Sequence, residues 1–314
     1  MKLASVPVNP VPDNAVAGAV KTSDGVTLRF ARWPPPQGRR GTVVILQGRA
    51  EFIEKYFETV RDLHARGFAV AAFDWRGQGL SDRALADRRK GYVRNFVEYA
   101  LDLEAIMGQV VLPDCPPPIF ALGHSMGGAV AIRACHDGNR WFDRVVLTAP
   151  MIALPPSRFV AMGGPLARCL RLIGRGSAYV PTGSAVARAS EDFLGNVLTS
   201  DPVRFARNAA VLHQHPDLGL GAPTVAWADS AFRAMNQFKR QGYAAHLRQP
   251  ILLVAAGDDK VVSTAAIEDF GTNLLAGRHL IVAGSRHEIL QEQDNYRDQF
   301  WAAFDAFVPG TPLY

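Results

Sequence analysis

Cysteine is scarce. The chain has three in 314 residues, at positions 115, 135 and 169. An odd, sparse set does not make a disulfide framework. It is compatible with a reducing compartment, and a cytoplasmic location is the expectation. Charge of one sign is also in short supply. Lys plus Arg number 34 against 29 Asp plus Glu, a net charge of +5, and the sequence pI is near 9.3. The basic excess is spread out, since Arg39-Arg40 and Arg88-Arg89-Lys90 are only short clusters. No nucleic-acid partner is expected from such a pattern. No apolar run approaches the roughly 18 residues that a membrane-spanning helix needs. The stretch 1–12 holds one Lys and prolines at 7, 10 and 12 without a long apolar segment, so it reads as neither leader nor anchor. No fixed-period repeat is visible, and nothing in the pattern specifies an oligomeric state.

What is present is ordinary for a globular protein: 48% hydrophobic and 20% charged residues. The length suits one large α/β domain with an insertion. Residues 1–15 read as a loose Pro-rich arm. Val26 to Phe30 alternates at period two, after the turn signal Thr22-Ser23-Asp24-Gly25. Strands alternating with helices follow. Buried-strand runs stand at 42–46, 68–73, 119–122, 145–148, 251–255 and 279–282. Helical spacing stands at 52–63, 96–107, 129–136 and 289–307. In the second helix Val97, Leu101 and Ala105 fall on one face. Continuous apolar strands between helices imply a mostly parallel sheet covered on both faces. The chain thus divides into a core, 1–151 with 248–314, and a mainly helical cap, 152–247. Within the cap, Phe159, Met162, Leu166, Cys169, Leu170 and Ile173 recur with Arg158, Arg168, Arg171 and Arg175 between them. Such a segment suits a lipid interface. The favoured expectation is that it packs its apolar side on the core or lines an acyl pocket.

The chemistry centres on Gly123-His124-Ser125-Met126-Gly127-Gly128, between a strand run and a helix run. A serine on a strained strand–helix turn needs neighbours with almost no side chain, and Gly123 and Gly127 meet that demand. An ordinary turn with an incidental serine is the alternative on this hexapeptide alone. A serine nucleophile needs a base, and the base needs an orienting acid. His287 is the one histidine of eight that follows the last strand, in the loop Gly284-Ser285-Arg286-His287-Glu288. The acid comes from Gly257-Asp258-Asp259-Lys260, after the penultimate strand. Asp259 is favoured over Asp258 by its register to Val261-Val262. The preceding strand ends in Thr148-Ala149-Pro150-Met151, which offers no carboxylate. A tetrahedral oxyanion needs two preorganised N–H donors. Met126 supplies one, and Arg49, in the turn Gln47-Gly48-Arg49-Ala50-Glu51, supplies the other. Gly48 allows close backbone approach, and His124 is locked into the turn beside the serine. This mechanism requires no metal and no organic cofactor.

These residues, with Asp74-Trp75-Arg76-Gly77-Gln78-Gly79-Leu80-Ser81, resemble the α/β-hydrolase superfamily. They look most like its monoacylglycerol lipase and bacterial lysophospholipase group. The resemblance runs over about 40–310 and is weakest across the cap. It implies an α/β-hydrolase fold with an inserted helical cap. It also implies a serine hydrolase of carboxylic esters that works through an acyl-enzyme. The substrate would be a small ester or a single-chain lipid, met by transient contact with a membrane surface. The apolar cap suits an acyl chain, and its arginines suit a phosphate. The family often has His-Gly where this chain has Gln47-Gly48, and Arg-Gly-His-Gly where it has Arg76-Gly77-Gln78-Gly79. The Gln47 amide, which both donates and accepts, is the expected replacement in fixing the turn. Short-chain or aromatic esters remain an alternative substrate class. Cofactor-free peroxidases and carbon–carbon hydrolases share the fold and a Ser triad, and a non-catalytic ligand-binding module is the remaining alternative.

Overall fold

The computed structural model describes residues 2–35, 40–185 and 192–309. In chain order the strands are β1 (Val16–Lys21), β2 (Thr27–Trp33), β3 (Thr42–Leu46), β4 (Ala69–Phe73), β5 (Ile119–His124), β6 (Arg144–Thr148), β7 (Ile251–Ala256) and β8 (Gly277–Val282). They form one sheet in the order β1-β2-β4-β3-β5-β6-β7-β8. β1 and β2 pair antiparallel, as do β2 and β4, and every later pairing is parallel. β3, β4, β5 and β7 are buried along their whole length. This is why they read as unbroken apolar runs rather than alternating ones. The chain leaves β3 toward β4 and then returns to the other side of β3 as β5. The carboxyl ends of β3 and β5 therefore flank the switch point where such sheets hold their ligands.

Helices cover both faces. They are α1 (Phe57–Ala65), α2 (Glu98–Ile106), α3 (Leu112–Asp114), α4 (Met126–His136), α8 (Thr264–Thr272) and α9 (Asp294–Phe307), with α5 (Arg158–Leu172), α6 (Pro202–Gln214) and α7 (Val225–Phe238) between β6 and β7. α2 runs into α3 through a π-helical turn at Met107–Val111. Its buried residues include Tyr99, Asp102, Leu103 and Ile106, whereas Val97 is exposed. The face of Val97, Leu101 and Ala105 is thus rotated, and only Ala105 of the three is buried. The cause is a buried ion pair: Asp102 accepts from Arg76 Nε at 2.7 Å, which lets a carboxylate occupy a core position. The amino-terminal arm is docked rather than loose. Val6 packs with Phe52, Val211, Leu212 and Leu218, and Asn9 Nδ2 donates to Glu54 O at 2.8 Å. Prolines exclude regular structure there without excluding packing.

α5 departs most from expectation. Most of its large apolar side chains face outward: Phe159 is 89% exposed, Met162 and Leu166 are exposed, and Ile173 just past its end is 72% exposed, whereas Leu170 packs toward Ala167, Val225 and Ala228. The side turned to α7 carries Gly163, Gly164 and Ala167. A Cβ added at Gly163 would lie 2.9 Å from the Phe232 ring. Small residues let the two helices approach closely, and that contact fixes which face looks out. The neighbouring α6 is tied to the core by charge. Arg204 and Arg207 bond Glu58 of α1 at 2.7 and 2.6 Å.

Candidate active site

β5 delivers Ser125 at its carboxyl end, and α4 begins at the next residue. Ser125 has φ 49°, a left-handed conformation that costs a non-glycine residue energy. The surrounding backbone leaves no alternative. A Cβ at Gly127 would lie 2.1 Å from Leu46 O, so α4 can start only against the bare end of β3. A Cβ at Gly123 would lie 2.8 Å from the Leu147 side chain. Met126 is the first residue of α4, where backbone N–H groups lack intrahelical partners.

The residues expected from sequence converge here. His287 Nε2 lies 3.0 Å from Ser125 Oγ, and His287 Nδ1 lies 2.8 Å from Asp259 Oδ2. The other oxygen, Asp259 Oδ1, accepts from the N–H groups of Val261 and Val262 at 2.7 and 2.9 Å. Burial pushes the Asp259 carboxyl up. The bonds from His287 and the two backbone amides outweigh this, and its pKa lies below the usual value. Asp258 points elsewhere: it is exposed and pairs with Lys260 at 2.6 Å. His124 Nδ1 sits 3.1 Å from Thr148 Oγ1, and its ring centroid is 4.8 Å from that of His287. Burial lowers the His124 pKa to about 4, so a neutral imidazole stands beside His287 near neutral pH.

The turn after β3 brings Gly48 and Arg49 to the same end of the sheet. Gly48 N–H is taken by Glu51 Oε2 at 2.5 Å, so the next amide along the turn is that of Arg49. The Arg49 side chain reaches away, to Gly221 O at 2.5 Å and over the Trp227 ring at 5.2 Å. The expected role of the Gln47 amide is not met. Its Nε2 and Oε1 are buried without a hydrogen-bond partner among the described residues, whereas its backbone O accepts from Trp75 Nε1 at 2.9 Å. Gln78 fixes the turn instead. Its Oε1 accepts from Ala50 N–H at 2.8 Å and its Nε2 donates to Gly48 O at 3.1 Å. Gln78 stands where the family often has histidine, and that substitution was the signal for its role.

Sequence reasoning also missed the charged groups under the turn. Glu51, Lys55, Tyr56 and Glu288 are all buried. Charged residues are read as surface unless a partner is visible, and the partner that ties this set together, Glu288, lies 233 positions from Lys55 in sequence. Residues between β6 and β7 also reach the His287 loop. Glu288 N–H donates to Leu198 O at 2.8 Å, and Arg286 Nη1 donates to Asn196 O and Thr199 O.

With this geometry in hand, comparison with known proteins is decisive for the family. The profile of the family described as serine aminopeptidase, S33, matches residues 37–294. The chain belongs to that family. It is an α/β-hydrolase and a hydrolytic enzyme. Lysophospholipase L2 of Escherichia coli is 32% identical over 284 residues, covering 87% of this chain and 82% of that protein. Monoacylglycerol lipase of Mycolicibacterium smegmatis is 26% identical over 281 residues, covering 86% and 89%. Among solved structures, a soluble variant of monoglyceride lipase from Saccharomyces cerevisiae superposes with a TM-score of 0.73. It is 20% identical and covers 95% of this chain and 97% of that one. That likeness is one of fold.

Proposed function

We propose that this S33-family member hydrolyses carboxylic esters of single-chain lipids, monoacylglycerols or lysophospholipids, through an acyl-enzyme. The reading is carried by one observation: the hydrogen-bonded series Ser125–His287–Asp259 stands at the carboxyl end of β5, beside the turn after β3. Ser125 Oγ attacks the ester carbonyl while His287 Nε2 takes its proton. Asp259 holds the imidazole and balances its charge. The amides of Met126 and Arg49 receive the oxyanion. His287 then protonates the leaving alcohol, and water releases the acid by the reverse sequence. The relatives named above act on lipids of this kind by their names, and that supports the substrate class.

The segment 152–247 acts as a cap over this site, and α5 is its contact with lipid. The exposed stripe Phe159, Met162, Leu166 and Ile173 with flanking Arg158, Arg168 and Arg175 suits the boundary between acyl chains and anionic headgroups. Among the described residues no helix is long and apolar enough to cross a membrane, so contact at the surface is the mode proposed. The three free cysteines fit a cytoplasmic setting.

The test is a matched panel of monoacylglycerol, lysophosphatidylcholine and short-chain p-nitrophenyl esters, with Ser125→Ala as control. Turnover of the long-chain lipids that is lost in Ser125→Ala is the expected result. A sharp optimum at acetate would replace the lipid reading with that of a short-chain esterase. Full activity in Ser125→Ala would sink the nucleophile assignment.

A further inference from the structure

The structure holds a buried ammonium between the two loops that the proposed mechanism brings together. Lys55 Nζ lies 2.8 Å from Glu51 Oε1 and 2.6 Å from Glu288 Oε1. Glu51 belongs to the turn that carries Gly48 and Arg49, and its other oxygen accepts from Gly48 N–H at 2.5 Å and from Tyr56 Oη at 2.6 Å. Glu288 is the residue after His287. One cation thus joins the oxyanion turn to the loop of the general base. The remaining groups around it are His124, whose Nε2 is 3.9 Å from Glu51 Oε1, and Gln291, whose Nε2 donates to Lys55 O at 3.2 Å.

We propose that Lys55 is a positioning residue for ester hydrolysis: by bridging Glu51 and Glu288 it sets the separation between the oxyanion donors and His287. This rests on the ester-hydrolase reading but not on its lipid specificity. The physical case is one of buried charge. Two carboxylates and one ammonium, each less than a tenth exposed, are stable only as a paired set. Burial raises the Glu51 carboxyl, and Lys55 beside it outweighs that and holds it well below the usual range. A surface ion pair would be a weak constraint, whereas this one sits where its geometry cannot relax into water. Neither Lys55 nor its partners need touch the ester. Their effect is on where Arg49 N–H and His287 Nε2 stand when the tetrahedral species forms, and misplacement by about 1 Å is worth on the order of 100-fold in rate.

The variant Lys55→Met keeps the stem and removes the charge. It leaves two buried carboxyl groups facing each other with no cation between them, an arrangement that grows more costly as rising pH favours the charged forms. The two loops then repel. Wild type, Lys55→Met and Lys55→Arg are compared on p-nitrophenyl butyrate for kcat and KM from pH 6 to 9, with fluorophosphonate labelling as a second readout and melting curves as the check on folding. The expected result is a fall in kcat of about 10- to 100-fold for Lys55→Met with KM within about threefold. The loss should grow with pH, labelling should slow in parallel, and Lys55→Arg should recover most of the rate. Unchanged kcat in folded Lys55→Met overturns the proposal, and so does a loss confined to KM or one with no pH dependence. Should Lys55→Met not fold, Glu288→Gln decides. That variant removes one charge while preserving shape and an acceptor, and wild-type kcat at every pH refutes the bridge. A wild-type enzyme that neither turns over the ester nor labels would refute the ester-hydrolase reading itself, a distinguishable outcome.

Discussion

Gln78→Met tests whether the oxyanion turn is held from outside. The substitution keeps the volume and removes both hydrogen bonds, to Ala50 N–H at 2.8 Å and from Nε2 to Gly48 O at 3.1 Å. Ala50 stands at φ 63°, which a residue with a Cβ adopts at a cost of about 1–2 kcal/mol. Without Gln78 the turn loses two of the bonds that oppose release of that strain, and Arg49 N–H moves with Ala50. Loss of a whole oxyanion donor costs about 100- to 1000-fold in kcat. A displaced donor retains part of its effect, so a loss of about 10- to 100-fold is expected here. The stability change is separate. Gly48 O lies on the buried side, and leaving it unpaired costs about 1–3 kcal/mol. Ala50 is half-buried, so water recovers most of the other bond. At about 2 °C per kcal/mol for a chain of this size, Tm should fall by about 2–6 °C. Steady-state kinetics on a chromogenic ester and a melting curve measure the two effects independently. Wild-type kcat together with a lowered Tm would show that Gln78 only stabilises the fold, and the account of the turn would be wrong.

Alanine at His287 should cost as much activity as alanine at Ser125, on the order of 10⁴-fold or more in kcat, because such residues act as a unit. A Gly127→Ala chain should fail to accumulate as folded protein, since its Cβ would lie 2.1 Å from Leu46 O; soluble protein with an unchanged Tm contradicts the packing described. Glu58 gives a pH test. Burial raises its carboxyl, but Arg204, Arg207 and Arg297 outweigh this and bring the pKa to about 2 from 4.5. A depressed carboxylate stabilises the fold fully above pH 4.5 and loses that contribution as pH falls toward 2. At 1.36 kcal/mol per unit, discounted for partial exposure, it amounts to about 2–3 kcal/mol. Glu58→Gln should therefore melt lower at neutral pH and show a flatter Tm profile between pH 4.5 and 2. The paired change Phe159→Asp, Met162→Asp should weaken sedimentation with anionic phospholipid vesicles at least tenfold while p-nitrophenyl butyrate turnover stays within about twofold. Undiminished vesicle binding would remove α5 as the contact surface.

Much of the core was legible because it is covered on both faces. β3, β5 and β7 are buried at every position, so their runs stand out, and the proposed catalytic residues follow their ends. Asp259 was separable from Asp258 by register, since a carboxylate two residues before Val261 can accept from two successive amides while its other oxygen meets His287. What escaped depends on contacts between distant residues. The rotation of α2 follows from Asp102 meeting Arg76, 26 positions away. The outward face of α5 follows from Phe232 seated on Gly163 and Gly164. Hydrophobic periodicity identifies an apolar stripe on a helix, but it does not say which stripe the neighbouring helix covers. Here the small residues made the contact and the large ones were left outside.

The same reasoning about buried charge explains why His124 belongs to the site although it bonds no reacting atom. In the proposed mechanism His287 becomes an imidazolium while the oxyanion forms, so its surroundings must favour a positive ring. Asp259 does so directly, at 2.8 Å. His124 stands with its ring centroid 4.8 Å away. Were it protonated, two like charges at that separation would repel by about 3 kcal/mol at an effective dielectric of 20, roughly a hundredfold in rate. Burial prevents this by lowering the His124 pKa to about 4, and the Thr148 hydroxyl at 3.1 Å gives the neutral ring a polar partner. Glu51 Oε1 at 3.9 Å pulls the other way, and Lys55 bonded to the same oxygen offsets that pull. The cation that spans the two loops therefore also helps keep His124 neutral, so the groups under the oxyanion turn act on the geometry of the site and on its charge together.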